Sequence, residues 1–425
     1  MSTIKRIVAH EIIDSRSIPT IEAWLELDDG KKVTTSIPSG TSIGKNEALE
    51  LRDNDHNKFN GRGVSQAVSY INDLLAPKLI GTSPDKQFEI DNWMIKADAT
   101  NNKSRLGANT ILAVSQLIAK AGAVTQGMSL FNYLNSLFNQ IHKEIVPIEK
   151  IPIPIFNIIN GGKHANNDLQ FQEYQIIPSS SQSFTQAYQI GVEVFQELKA
   201  VLQYRNAGVS VGEEGGLTPN FASNLDAFDI LNETLMRKNL KPGLDIFLGT
   251  DIASSHFFKS DRYNLKDKPH PLTTDEYIEY ILNIVKTYSL LVLEDPLQEE
   301  DWRNWQKLNT LLPNNIYLVG DDLICTNRER LLHAIKDKAC SGIIIKPNQI
   351  GTVTETLEVV SIAKKNSLAV VASHRSGESN DDFIADFAVG VQADFAKFGA
   401  PSRGERVAKY NRLWNIEREE LKFEI

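Results

Sequence analysis

Five times between residues 246 and 375, a short aliphatic run halts at a polar or charged side chain. Residues 246–250 precede Asp251, 290–293 precede Glu294, 316–320 precede Asp321, 343–345 precede Lys346, and 368–372 precede Ser373-His374-Arg375. Runs with no polar alternation suit strands buried on both faces, as in a parallel sheet. Helix-periodic stretches separate them, and three open on a capping-box pattern: Thr273 with Glu276, Thr326 with Glu329, and Thr352 with Glu355. Strand, short loop and capped helix, recurring every ~25–45 residues, predict a β/α barrel.

In such a barrel the C-terminal strand ends converge on one mouth, so Asp251, Glu294 and Asp321 are expected to meet there. Carboxylates crowded in a low-dielectric mouth repel, and either a proton or a cation must balance them. Oxygen-only ligands favour a hard divalent ion such as Mg²⁺. Any one of these acids by itself reads more simply as a helix cap or a solvated loop charge. Lys346, ending an Ile-Ile-Ile run, is expected to have its pKa lowered by desolvation and neighbouring cations, towards that of a usable base. A lysine that merely neutralises the acids has the same spacing. Gly212-Glu213-Glu214-Gly215-Gly216 sets two acids in a glycine-flexed loop that either aims a carboxylate across the mouth or forms a surface turn. Ser39-Gly40-Thr41-Ser42-Ile43-Gly44 is a phosphate-covering loop or a linker. Arg375-Ser376 suits phosphate. His164 and His374 read as phosphate or proton partners, or as structural histidines.

Upstream, residues 6–13, 20–27 and 32–37 are predicted strands, with Asp29-Gly30 a hairpin signal. Helices are predicted over 66–75 and 108–123, and 140–150 reads as a connection. The expected organisation is an α+β N-terminal capping domain at 1–140 and a barrel catalytic domain at 141–425. The 425 residues, 41% hydrophobic and 23% charged, allow a sizeable core. A net charge of −9 argues against general nucleic-acid binding. No apolar run approaches the ~20 residues of a membrane span. The N-terminus carries no apolar segment of a signal peptide. Cys325 and Cys340 are the only cysteines, so no disulfide framework is expected and the cytoplasm fits best.

Across nearly the whole chain these motifs resemble the enolase family. The matching stretches are Asp14-Ser15-Arg16, Pro38-Ser39-Gly40, Ser104-Arg105-Leu106-Gly107-Ala108-Asn109, Asn160-Gly161-Gly162-Lys163-His164 and Gln172-Glu173. They continue through Glu214-Gly215-Gly216, Glu294-Asp295, Val319-Gly320-Asp321-Asp322-Leu323, Lys346-Pro347-Asn348-Gln349-Ile350-Gly351-Thr352, Ser373-His374-Arg375-Ser376-Gly377-Glu378 and Lys397-Phe398-Gly399-Ala400-Pro401. The resemblance implies a capping domain before an enolase-type β/α barrel with a ββαα start. It also implies a magnesium-dependent hydro-lyase interconverting 2-phosphoglycerate with phosphoenolpyruvate and water. Lys346 then matches the base that removes the α-proton, Glu214 the acid that assists loss of hydroxide, and Glu173 an assisting acid. Asp251, Glu294 and Asp321 match ligands of a tightly held Mg²⁺, and Ser42 a ligand of a second one recruited with substrate. His164, Gln172, Glu294, Asp321, His374, Arg375, Ser376, Lys397, Gly40 and Ser42 are implied around the substrate. A homo-oligomer, dimeric or octameric, is implied as well.

The chain departs from the family pattern at Ile18, Glu213, His256, Phe398 and Asn415. The changes at Glu213 and Phe398 raise an alternative, a paralogue acting on a phosphonate or phosphinate relative. A non-catalytic scaffold is a third reading, opposed by the intact charged positions.

Overall fold

The structure is a computed structural model that describes residues 2–41 and 44–421. An antiparallel meander opens it: β1 (Ile4–Ile13), β2 (Pro19–Leu27) and β3 (Lys32–Ser36). Its apolar face, including Ile21, Ala23 and Leu25, packs on the helix Ala108–Gln126 and on the helical stretch from Ser65 to Leu79. That stretch carries a wider π-type turn over Tyr70–Leu75. The helix Leu130–His142 runs three residues into the expected connection, and 143–152 hold neither helix nor strand.

The rest closes into a barrel of β4 (Ile153–Asn160), β5 (Glu173–Pro178), β6 (Ile246–Asp251), β9 (Leu290–Glu294), β10 (Tyr317–Gly320), β11 (Gly342–Ile345), β12 (Ala369–Ser373) and β13 (Phe395–Lys397). A small hairpin, β7 (Phe258–Lys259) and β8 (Arg262–Tyr263), lies outside it. The five aliphatic runs are β6, β9, β10, β11 and β12, largely buried on both sides. Ile155, Ile177, Val292, Val319, Ile344 and Val371 form one apolar cluster within the ring, while a larger cluster joins the strands to the helices. Pairing is parallel from β6 through β9 to β13 and on to β4, but β4–β5 and β5–β6 are antiparallel. Two helices, Phe184–Tyr204 and Asn224–Arg237, follow β5 in succession, giving a ββαα start. Because β5 runs backwards, its first residue, Glu173, reaches the rim on which the other strands end.

Of the three capping patterns, Thr273 forms the full box with Glu276. Thr352 accepts the Glu355 N–H, but the Glu355 carboxylate meets the Thr352 hydroxyl instead of the backbone. The third shifts by one residue: Asn327 caps the helix Arg328–Asp337, accepting from the N–H groups of Glu329 and Arg330. Thr326 is drawn inwards, where its hydroxyl accepts the Lys346 N–H (3.0 Å) and donates to Gln349 (2.7 Å). Among the described residues, no helix is long and apolar enough to cross a membrane.

Candidate active site

Strand register fixes which side chains are neighbours on the rim. Glu173 pairs with Asp251, Asp251 with Glu294, and Ser373 with Lys397. Asp321 and Lys346 follow the last residues of β10 and β11. A cleft over this rim is lined by His164, Gln172, Glu173, Glu214, Asp251, Lys346, Ser373, His374, Arg375, Ser376 and Lys397. Residues separated by more than two hundred positions thus share one small polar space.

Lys397 is its central cation. Its Nζ lies 2.7 and 2.9 Å from the Glu294 oxygens, 3.1 and 3.2 Å from those of Glu173, and 3.9 Å from Asp251. Lys346 donates to Asp321, whose other oxygen accepts from Gln349 (3.0 Å). Gln172 donates to Asp251 (3.1 Å). Asp295 shapes the turn after β10 by accepting the N–H groups of Asp321 and Asp322 (2.9 and 2.8 Å). One oxygen each from Glu173, Asp251 and Glu294 lie within 4.8 Å of one another, and the same holds for Asp295, Asp321 and Asp322. Asp251 and Glu294 therefore meet as expected from sequence, with Glu173 as their close third. Asp321 stands on the adjoining strand end, in the second group.

Burial and mutual repulsion raise the pKa values of these acids. Burial, and then the nearby acids, push Asp251 well above the carboxylate range, raise Glu294, and lift Glu173 to about 8. Charge that must be held down by protons is charge a divalent cation would accept, and the donors are all hard oxygens. The residues present fit Mg²⁺ on that ground. Asp321 differs: burial raises it, but Lys346 and Lys397 outweigh burial and hold it low. Lys346 reverses its expected shift. Desolvation does push it down, but the Asp321 carboxylate and Glu294 pull harder, and the amine ends above its ordinary value. The sequence placed cations beside Lys346; the fold places Asp321 in direct contact with it.

Glu214 lies in the same cleft. Asn157 donates to its Oε2 (2.8 Å), and His164 Nδ1 and His374 Nε2 each lie 3.5 Å from one of its oxygens. Burial favours its neutral form, yet His164, His374 and Arg406 hold its pKa well below the usual range. Glu173 and Glu214 come within 4.8 Å of each other and of His164, so the two acids titrate as a pair, the proton resting on Glu173. Desolvation lowers His374 to about 3, keeping its ring neutral.

Arg375 is gripped by Glu47 (2.9 and 3.1 Å) and Asn348 (2.9 Å). The Ser376 hydroxyl accepts the Thr41 N–H (2.7 Å), and Ser39 pairs with Gly377, which brings the 39–41 segment with Gly40 to the cleft edge. Ser42 lies outside the described residues. Of the departures, Phe398 and Asn415 point elsewhere, and Glu213 contacts the cleft-edge segment. Phe398 is fully buried in the core against Tyr410, Glu213 accepts from the Thr41 hydroxyl (2.7 Å), and Asn415 is exposed. Sequence reading missed Asn157, Asp295, Gln349, Glu47 and Arg406. Asp295 and Gln349 stood inside quoted motifs, but Arg406, on the final helix, carried no local signal.

A family model described as "Enolase, C-terminal TIM barrel domain" matches residues 148–423, and one described as "Enolase, N-terminal domain" matches residues 4–134. The chain is 43% identical over 417 residues to a protein named Enolase from Ehrlichia canis (strain Jake). It is 44% identical over 415 residues to one of the same name from Ehrlichia ruminantium (strain Welgevonden). Both matches cover 98% of this chain and 96% of the relative.

Proposed function

The chain belongs to the enolase family, and from that premise we propose that its barrel mouth interconverts 2-phosphoglycerate with phosphoenolpyruvate and water, the hydro-lyase step of glycolysis. Lys346 takes the α-proton. Glu214, with Glu173, delivers a proton to the departing hydroxyl, so that water leaves. The carrying observation is one cleft lined both by a lysine amine and by a carboxyl pair that holds a proton near neutrality. Acid and base need environments that keep opposite protonation states, and the enolase-superfamily use of a Lys base with Mg²⁺ is a standing example.

In this reading Asp251, Glu294 and Asp321 would hold the tightly bound Mg²⁺, and Ser42 would be a ligand of a second ion recruited with substrate. Bound there, the ions supply positive charge for the carboxylate oxygens on which the carbanion's charge collects. Asp321 lies against the Lys346 amine and raises its pKa, and a cation held by Asp321 would weaken that pull and favour the free amine. Arg375 and Ser376 take the phosphate, Lys397 the substrate carboxylate, and His164, Gln172, His374 and Gly40 complete the surround. On the same reading residues 1–140 cap the barrel of 141–425, and the chain works in the cytoplasm as a homo-oligomer.

A phosphonate-processing paralogue lacks support: Phe398 lies in the core and the relatives are enolases by name. Phosphoenolpyruvate formation from 2-phosphoglycerate, followed by absorbance with and without Mg²⁺, tests the proposal. Metal-dependent turnover is expected, and its absence in folded, Mg²⁺-loaded protein rejects the assignment.

A further inference from the structure

Arg406 is an arginine with no exposure at all, in the first turn of the closing helix Gly404–Asn415. Its Nη1 lies 2.7 Å from His374 Nδ1, and its Nη2 donates to the backbone oxygen of Glu213 (3.0 Å). The same guanidinium donates to the carbonyls of Arg375 and Ser376. A guanidinium only donates, so Nδ1 must be the bare acceptor, and the proton of a neutral ring must sit on Nε2. Nε2 has no hydrogen-bond partner among the described residues and lies 3.5 Å from Glu214 Oε2.

We infer that Arg406 is a positioning residue for the dehydration half of the reaction: it fixes His374 in the tautomer that turns an N–H towards Glu214, and it clamps the backbone beside Glu214 to the Arg375-Ser376 segment. This inference rests on the reading of Glu214 as the acid. It assigns work to a residue that touches no reacting atom. None of the Arg406 hydrogen bonds goes to Lys346 or Asp321, and since those to the Arg375 and Ser376 carbonyls steady the residues read as phosphate contacts, the two half-reactions are compared at saturating substrate. Arg406 therefore acts on loss of hydroxide and leaves proton abstraction largely alone.

The test separates the two half-reactions. In D₂O with Mg²⁺, exchange of the 2-phosphoglycerate α-proton reports the base, and phosphoenolpyruvate formation reports both steps. For Arg406→Gln, turnover is expected to fall about 100-fold, the scale of a general-acid contribution, with exchange falling less than about threefold. Equal losses in both, or no loss in either, overturn the inference. A buried arginine can be needed for folding, so His374 supplies an independent arm. The His374→Gln amide nitrogen falls near Nε2 and keeps a donor for Glu214, whereas the His374→Asn amide falls near Nδ1. His374→Gln is expected to keep at least about tenfold more turnover than His374→Asn; equal or reversed activities overturn the inference. If the parent protein shows neither exchange nor turnover, it is the assignment of function that fails.

Discussion

Replacing Gly399 with alanine tests how closely the loop leaving β13 at the rim supports the acid loop. Gly399 has φ +86°, and a Cβ built there would lie 2.5 Å from the Glu214 backbone oxygen, 2.9 Å from His374 Cε1 and 3.1 Å from Arg406 Cδ. Ala400, the next residue, donates its N–H to that same Glu214 oxygen at 3.0 Å, so the Glu214 backbone has little room to retreat. Ordinary C–H···O contacts begin at about 3.3 Å, which requires a shift of roughly 0.8 Å. The left-handed φ costs about 1–2 kcal/mol in an L-residue and the overpacking about 1–3, giving about 2–5 kcal/mol together. Gly30 is the internal control, with the same φ of +86° and nothing within 4 Å of its would-be Cβ. Gly30→Ala should therefore carry the first cost without the second. Urea unfolding of both variants should place Gly399→Ala about 1–3 kcal/mol below Gly30→Ala. A displacement approaching 1 Å at a catalytic group costs about 100-fold, and turnover of Gly399→Ala should fall by that order while Gly30→Ala stays near the parent. A Gly399→Ala protein as stable as Gly30→Ala, or one retaining turnover within about threefold of the parent, refutes the reasoning.

Lys346→Ala should abolish exchange of the substrate α-proton, read by NMR in D₂O, while Mg²⁺ binding by calorimetry persists; unchanged exchange removes the lysine from its role. Chelation should eliminate turnover, and readdition of Mg²⁺ at 100 times its Kd should stabilise the fold by about 2.7 kcal/mol in urea unfolding; a metal-independent midpoint contradicts the oxygen-ligand site. The metal-free chain should lose stability between pH 6.5 and 8. Over that range Glu173, with its pKa lifted from 4.5 to about 8, keeps in the fold a proton that the unfolded chain has already released. Below pH 6.5 two neutral histidines, one buried and one half-buried, work in the opposite sense. His374 at about 3 and His256 at about 4 bind protons only on unfolding, so their contribution falls as the solution becomes more acid. A urea midpoint that keeps climbing from pH 6.5 to 8 would contradict the burial of Glu173 as a protonated acid.

The barrel was legible because five of its eight strands are written as largely apolar runs, and a polar residue ending such a run lies at the rim. Asp251, Glu294, Asp321, Lys346 and Ser373-His374-Arg375 follow from that rule, the glycine-flexed loop offered Glu214, and family motifs added Glu173 and Lys397. The capping boxes were legible less reliably. Asn327 outcompeted Thr326 because the threonine hydroxyl found buried partners in Lys346 and Gln349, which no local pattern records.

Local sequence thus determined which side chains reach the mouth, since strand length and burial are properties of short segments. Tertiary structure decided what those side chains are once there. Closing the ring put Asp321 against Lys346 and raised an amine expected to be low. It also set Glu173 beside Asp251 and Glu294, and carried Arg406 from the far end of the chain to His374. Charge state follows from distance and desolvation, and both are set only when strands far apart in sequence become neighbours in space.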